Sequence, residues 1–305
     1  MDLQELEITE RLQIIGKYFD LDELLAEKTD NKAVEKYYRK SDFFYNLIHA
    51  RGSGSIHLGL SDDGLYHNED FLKHAQFVES LINDTSMSIL EVGAGKLINT
   101  KYLANQLPNN SFTALDLPHR NFLKNRVSAN VRLVEGDYHD LSIFPENSFD
   151  IVFGVETVCY SSDKKRVFTE MKRVLKPGGK VVFFDGYDAK SNEQKSDFER
   201  HAAAIKWAAM RVTPKDHYIG DIKRYLEELQ FKDVEITDIT EKVRPTLRRL
   251  DRISCYYFMH PKLIKRLRRW ISKDVTMNSI AGWLMLLTYD GKNIHQYSRV
   301  VATKG

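Results

Sequence analysis

Four acids and one pair of glycines in this 305-residue chain stand where chemistry could be done. Glu91 belongs to a strand-like run, Ile89-Leu90-Glu91-Val92, that meets Gly93-Ala94-Gly95 and then a helix-like pattern. Glycines at a strand-to-helix turn let the backbone approach a ligand closely. A dinucleotide site asks for a third glycine there, and this chain has Leu97 or Ile98 in its place. A carboxylate two positions before the glycines would also repel a pyrophosphate and would suit a ligand with an ammonium group. Asp116 and Asp137 each follow a later strand-like run, and a carboxylate accepts hydrogen bonds from hydroxyl or amino donors. Glu156 closes the strand-like run Ser148–Glu156, in a place where a carboxylate could stabilise a cation or take a proton. His57 and His67 sit in a glycine-containing loop, where they could act as bases or cap a turn.

These residues need a scaffold that brings strand ends together, and the pattern supplies one. Ser88–Val92, Ser111–Leu115, Val131–Glu135, Ser148–Glu156 and Gly178–Tyr187 read as strands. Asn99–Gln106, Pro118–Asn130 and Asp163–Leu175 read as the helices between them, the last stopped by Lys176-Pro177-Gly178-Gly179. Such alternation implies a parallel sheet wound on both faces. Asp70–Ile82 has helical spacing, as do Asn192–Met210 and Ile219–Leu229. Asp233–Ile239 and Gln296–Lys304 complete about seven strands, the last antiparallel. The expected fold is α/β, a Rossmann-like seven-stranded doubly wound sheet with N-terminal helices and a helical cap before the last strand. The domains expected are 1–84 as a helical segment with a loop, 85–240 with 295–305 as the core, and 241–294 as the cap, an interval too long for a plain loop.

Composition narrows the class. Hydrophobic residues make up 42% and charged residues 29%, which suits a globular core rather than disorder. The net charge is +2, so no general affinity for nucleic acid is implied. The two cysteines, Cys159 and Cys255, are far apart, which points to a reducing compartment and no zinc pair. The acidic, amphipathic N-terminus is unlike a signal peptide, and no apolar run approaches bilayer length. A cytoplasmic location is expected, with no metal of the protein's own.

The motifs in order resemble the class I S-adenosylmethionine-dependent methyltransferases. Ile89-Leu90-Glu91-Val92-Gly93-Ala94-Gly95-Lys96 looks like their first motif, with Leu97 at the third glycine. Phe112–Pro118, Leu133–Leu141, Phe149–Glu156 and Val174–Asp185 match the motifs that follow, covering about residues 85–187. The resemblance implies that S-adenosylmethionine is held by Glu91, Gly93, Ala94, Gly95, Asp116, Leu117, Asp137, Tyr138 and Val155. Asp116 would take the ribose hydroxyls and Asp137 the adenine amino group, with Leu117 and Tyr138 beside the ring. Glu156-Thr157-Val158-Cys159-Tyr160 resembles the sterol, tocopherol and terpenoid C-methyltransferase branch, with Tyr160 where that branch often has histidine. Tyr37, Tyr38, Tyr45, Gly52, Gly54, Ser55 and His57 resemble its N-terminal region.

The resemblance implies methyl transfer to a small apolar acceptor, in the branch's case a carbon of an isoprenoid or sterol-like lipid or a prenyl diphosphate. An alkene that takes up a methyl group becomes a tertiary carbocation, which aromatic faces stabilise and a carboxylate can quench. Glu156 with Tyr38, Tyr66 or Tyr160 could supply those roles. Glu156 could equally bind a backbone amide or the cofactor's hydroxyls. N- or O-methylation of an amine or phenol, with His57 or His67 as base, stays open, as does a non-catalytic cofactor-binding module. Magnesium is expected only with a diphosphate acceptor. In 260–273, Leu263, Ile264, Leu267, Trp270 and Ile271 share one helical face, and Lys262, Lys265, Arg266, Arg268, Arg269 and Lys273 fill the remainder. That pattern fits peripheral contact with an anionic membrane through Lys262–Lys273, a diphosphate grip, or a solvated face over a packed stripe. Cys159 reads as a small packing residue, and the oligomeric state is left open.

Overall fold

The computed structural model describes residues 7–27, 57–84, 86–118, 122–212, 215–262, 264, 266, 273–290 and 293–305. Tyr37, Tyr38, Tyr45, Gly52, Gly54 and Ser55 lie outside them, as do Leu263, Lys265 and 267–272. The chain divides into two compact units. A sheet unit comprises Asn68–Gly186, Ile219–Ile239 and Tyr297–Gly305, and a helical unit comprises Met1–His67, Tyr187–Tyr218 and Thr240–Gln296.

The strands are β1 (Ser88–Val92), β2 (Ser111–Asp116), β3 (Val131–Glu135), β4 (Phe149–Val155), β5 (Leu175–Asp188), β6 (Phe231–Asp238) and β7 (His295–Lys304). They form one seven-stranded sheet in the order β3-β2-β1-β4-β5-β7-β6. The pairs from β3 across to β5 run parallel, and β6 with β7 runs antiparallel. The order reverses at β1, so the carboxyl ends of β1 and β4 flank the crevice where doubly wound sheets bind ligands. Ile89, Leu90, Val92, Ile151, Val152 and Phe153 are all buried, whichever face they point to. A parallel sheet covered on both sides requires such unbroken apolar runs.

The helices are α1 (Ile8–Gly16), α2 (Leu21–Ala26), α3 (Lys73–Ser80), α4 (Ile98–Gln106), α5 (Lys164–Val174), α6 (Asp197–Ala209), α7 (Ile219–Glu228), α8 (Thr240–Met259) and α9 (Lys273–Tyr289). In α5 the residues Val167, Phe168, Met171 and Val174 recur at three- and four-residue steps and are buried, while Asp163 caps the helix through the Arg166 amide. α6 starts at Asp197, not at Asn192, because Ser196 and Glu199 make a reciprocal capping box.

Two local expectations are corrected. Pro118–Asn130 does not form a helix among its described residues. One 3₁₀ turn, Phe122–Lys124, is all that forms there. Asn125 ends the turn, since its backbone and side-chain amides both donate to the Phe122 carbonyl, at 3.1 and 2.8 Å. The fifth strand begins at Leu175, not at Gly178, and Lys176-Pro177-Gly178-Gly179, expected to stop the preceding helix, forms a bulge inside that strand between the pairs Phe149↔Leu175 and Ile151↔Lys180. Gly178 takes φ +77, and a Cβ on Gly179 would meet the carbonyl oxygens of Lys176 and Asp150 at 2.9 and 3.0 Å.

In the helical unit, α9 packs on α8, α6 and α1, and α2 packs on α6. Trp283 of α9 stacks on Phe258 of α8, with ring centroids 4.5 Å apart. Arg11 of α1 is buried, donates to the Trp283 carbonyl at 2.6 Å and pairs with Asp251 of α8. Burial pushes the Asp251 carboxyl up and the arginine pulls it back, so removing either partner would strand a buried charge. Asp188 similarly accepts from the Trp207 indole at 2.8 Å and pairs with buried Lys195.

Candidate active site

The glycine turn is shaped by the residue after Glu156. Gly93 has φ +64, and a Cβ there would sit 1.9 Å from Thr157 Oγ1 and 2.6 Å from Thr157 Cβ. A Cβ on Gly154 of β4 would meet Thr157 Cγ2 at 2.7 Å. The Thr157 side chain therefore fills the space that the absence of side chains at both glycines creates. It ties the loop after β4 to the turn after β1.

Leu97 stands where a third glycine was expected, and its backbone is left-handed, with φ 63 and ψ 24. That conformation costs an L-residue roughly 1–2 kcal/mol. The side chain offsets it by burial in a cluster with Ala94, Ala114 and Phe122. Complete burial of a leucine contributes about 1.5–3 kcal/mol. The turn thus keeps a backbone shape that glycine adopts without strain.

Glu91 is 2% exposed. Its Oε1 accepts from Asn99 Nδ2 at 3.0 Å, and its Oε2 accepts from the Thr100 amide at 3.0 Å and from the Thr100 hydroxyl. Glu91 thus fastens the first turn of α4 beneath the glycines instead of presenting an open carboxylate, as the sequence suggested. Burial pushes its carboxyl up to about 7, against the hydrogen bonds from Thr100 and Asn99.

Asp116, at the end of β2, accepts from the Gly95 amide through Oδ2 and from the Leu117 amide at 2.7 Å through Oδ1. It stands half-buried against the glycine turn. Ala94 donates its amide to the Leu115 carbonyl at 3.1 Å, which binds the turn to β2. Asp137 accepts from the His139 amide at 2.9 Å and lies 2.6 Å from His139 Nδ1. The other ring nitrogen lies 2.8 Å from Ser161 Oγ. Tyr138 donates its hydroxyl to the Thr157 carbonyl at 3.1 Å, and burial holds the phenol well above its ordinary range.

Glu156 has φ +48, a strained conformation of the sort that gathers at functional sites. Its amide donates to the Phe184 carbonyl at 2.7 Å. Its Oε1 accepts from the Tyr297 hydroxyl of β7 at 2.9 Å, and that hydroxyl lies 3.2 Å from His74 Nε2 of α3. Tyr297 and His74 are both fully buried, and His74 meets Phe184 edge-on at 4.8 Å. Asp185, within β5, accepts from the Cys159 amide at 3.0 Å, and burial pushes its carboxyl up to about 6. The Cys159 thiol is pushed well up by burial and then by Asp185, which makes it a packing group and not a nucleophile. Tyr160 ends the 3₁₀ turn Val158–Tyr160 and is half-buried.

Glu91, Gly93, Ala94, Gly95, Asp116, Leu117, Asp137, Tyr138, Val155, Glu156 and Tyr160 all belong to the sheet unit. His57 and Tyr66 belong to the helical unit, where His57 is buried and Tyr66 lies 5.0 Å from the Arg249 guanidinium that covers its ring. His67 is 2.9 Å from Asp63 in an exposed turn that Asp63 also caps through the Leu65 amide. Asn99, Thr100, Thr157, His139, Asp185, Tyr297 and His74 were not foreseen. A signal existed for Asn99 and Thr100, small polar residues in the first turn of a helix after glycines. None existed for His74 and Tyr297, which are 223 residues apart. Among the described residues no three histidines, cysteines or acids gather as a metal site.

Residues 90–183 match the profile of a methyltransferase domain. The chain is 30% identical over 221 residues to a glycine/sarcosine/dimethylglycine N-methyltransferase of Actinopolyspora halophila, covering 67% of this chain and 36% of that protein. It is 27% identical over 197 residues to a sterol 24-C-methyltransferase of Neurospora crassa, covering 59% of this chain and 52% of that one. The chain thus spans about a third to a half of the length of these relatives. Geranyl diphosphate C-methyltransferase from Streptomyces coelicolor A3(2), solved with Mg2+, geranyl diphosphate and S-adenosyl-L-homocysteine, has the same fold. Its TM-score is 0.64 at 14% identity, over 90% of this chain and 97% of that one.

Proposed function

We propose that this chain, whose residues 90–183 match a methyltransferase domain, is a class I S-adenosylmethionine-dependent methyltransferase of the sterol and terpenoid C-methyltransferase branch and methylates a carbon of a small apolar isoprenoid or sterol-like acceptor. The donor set suits the cofactor. The glycine turn offers close backbone, Asp116 faces it from β2 as an acceptor for ribose hydroxyls, and Asp137 with Tyr138 follows β3 as a place for the adenine. When bound, S-adenosylmethionine supplies an electrophilic methyl group.

The observation that carries the choice of acceptor is Glu156. It is held in a left-handed conformation at the end of β4, with one carboxylate oxygen fixed by Tyr297. In this reading an acceptor alkene takes up the methyl group through its π electrons, leaving a cation on the neighbouring carbon. Glu156 lowers the energy of that cation and accepts the proton lost from the adjacent carbon, which restores a double bond. Tyr297 keeps the carboxylate from turning away. Tyr160, in the next turn, offers an aromatic face. Magnesium enters only with a diphosphate acceptor, whose oxygens supply ligands.

A second reading follows from the N-methyltransferase of Actinopolyspora halophila among the relatives. There an amine acceptor would be held by the same Glu156 carboxylate. Radiolabelled methyl transfer to prenyl diphosphates and sterols, set against amines and phenols, separates the two. Product on a carbon acceptor that falls at least 100-fold in Glu156→Gln is expected. Near-full activity of that variant ends the cation-quenching role, and product on amines alone selects the second reading. Absence of S-adenosylmethionine binding by calorimetry removes both readings and leaves a non-enzymatic module.

A further inference from the structure

The outer face of α8 carries a feature that the reaction does not use. Arg248, Arg252, Tyr256, Met259 and His260 recur at three- and four-residue steps and share one side of the helix. All five are exposed, Tyr256 by 60% and Met259 by 53%. The chain continues with Pro261, Lys262 and Arg266, also exposed, while Ile264 is buried. Residues 248–273 hold nine arginines and lysines against one acid, Asp251. That acid is buried and paired with Arg11, so it does not neutralise the outer face. Among the described residues neither Arg248 nor Arg252 enters an ion pair. The Tyr256 ring lies 4.2 Å from that of His260, whose Nδ1 is 2.8 Å from the Tyr256 carbonyl. The tyrosine is thus propped outward at the basic end of the helix.

We infer that this face is a docking surface for an anionic lipid membrane. Its chemistry is that of an interfacial helix. Basic residues on one face attract acidic headgroups, while an amphipathic tyrosine and a flexible methionine project between them into the headgroup boundary. A nucleic acid would use the arginines but would leave the exposed methionine unexplained. A protein partner would have to supply an acidic and apolar groove. Among the described residues no helix is long and apolar enough to cross a membrane. The contact is therefore made from one side. It stands apart from the reaction proposed above and is tested without turnover.

The test is co-sedimentation of the full chain with vesicles of phosphatidylcholine alone or with about 30% phosphatidylserine. Binding to the anionic vesicles, absent from the neutral ones and weakened as salt rises from 0.1 to 0.5 M (about a twofold fall in Debye length), is expected. Arg248→Gln with Arg252→Gln should weaken it about 25-fold, roughly 5-fold for each charge removed near the surface. Tyr256→Ser with Met259→Ser should weaken it independently. Each variant is checked for unchanged thermal midpoint and S-adenosylhomocysteine affinity, and the two pairs serve as separate probes should one disturb folding. No sedimentation of the wild-type chain with anionic vesicles overturns the inference. So does equal sedimentation of both variants, or binding to a single-stranded oligonucleotide in place of vesicles.

Discussion

Replacing Gly93 by alanine probes the site where two loops share one space. The new Cβ would lie 1.9 Å from Thr157 Oγ1 and 2.6 Å from Thr157 Cβ, at a backbone φ of +64. The left-handed conformation costs alanine roughly 1–2 kcal/mol. Overpacking against a buried threonine costs about 1–3 kcal/mol more. Gly93→Ala should therefore destabilise the sheet unit by about 2–5 kcal/mol. It should also weaken S-adenosylhomocysteine at least 10-fold, because Thr157 must move and carries Glu156 with it. Thr157→Gly removes the collision and leaves the φ penalty. The double variant should then be more stable than the sum of the single changes by about 1–3 kcal/mol, the overpacking share. Thr157→Ala should recover less, since its Cβ keeps the 2.6 Å approach. Urea denaturation gives the stabilities, and calorimetry gives the affinities. If Gly93→Ala and Thr157→Gly add within about 0.5 kcal/mol, the proposed sharing of space is wrong.

Three further outcomes follow from the same geometry. Tyr297→Phe removes a donor to a carboxylate, an interaction of about 1.5–3 kcal/mol, so turnover should fall roughly 10- to 100-fold while S-adenosylhomocysteine affinity changes less than about twofold. An equal loss in both would mean that Tyr297 only supports the fold. Asp116→Asn keeps the size and loses the second acceptor oxygen, so cofactor affinity by calorimetry should fall by about 10-fold or more. Glu91 binds its proton more tightly folded than unfolded, since its carboxyl rises from 4.5 to about 7. Its contribution is complete below pH 4.5 and is lost as pH rises through 7. The stability of the wild-type chain relative to Glu91→Gln should accordingly drop by about 2–3 kcal/mol between pH 5 and pH 8. A flat difference in urea denaturation over that range would show that the carboxyl is not held high.

Much of the scaffold was legible because it depends on local pattern. Five strands announced themselves as strand-like runs, and their alternation with helices implied the winding of the sheet. Boundaries failed where a side chain overruled the pattern. Asn125 stopped a turn by taking the Phe122 carbonyl, and Ser196 with Glu199 started α6 five residues late. The glycine turn was visible, but the reason for Gly93 was not, because Thr157 reaches it from the loop after β4, a neighbouring strand distant in sequence. Glu91 was noticed for its charge. Its partners Asn99 and Thr100 show that the charge is turned inward.

The sequence by itself determined the order of elements, the acids at the strand ends and the basic character of 248–273, since each follows from residue type at short range. Only the tertiary structure decided which groups meet. Strand order places β4 beside β1, and β7 beside β5. That is how Tyr297 and His74 come to hold Glu156. In the helical unit Arg11 of α1 takes up Asp251, which leaves the outer face of α8 from Arg248 to His260 without an exposed acid. A carboxylate's neighbours lie along hydrogen-bonded and packed directions perpendicular to the chain, and no spacing along the chain encodes them.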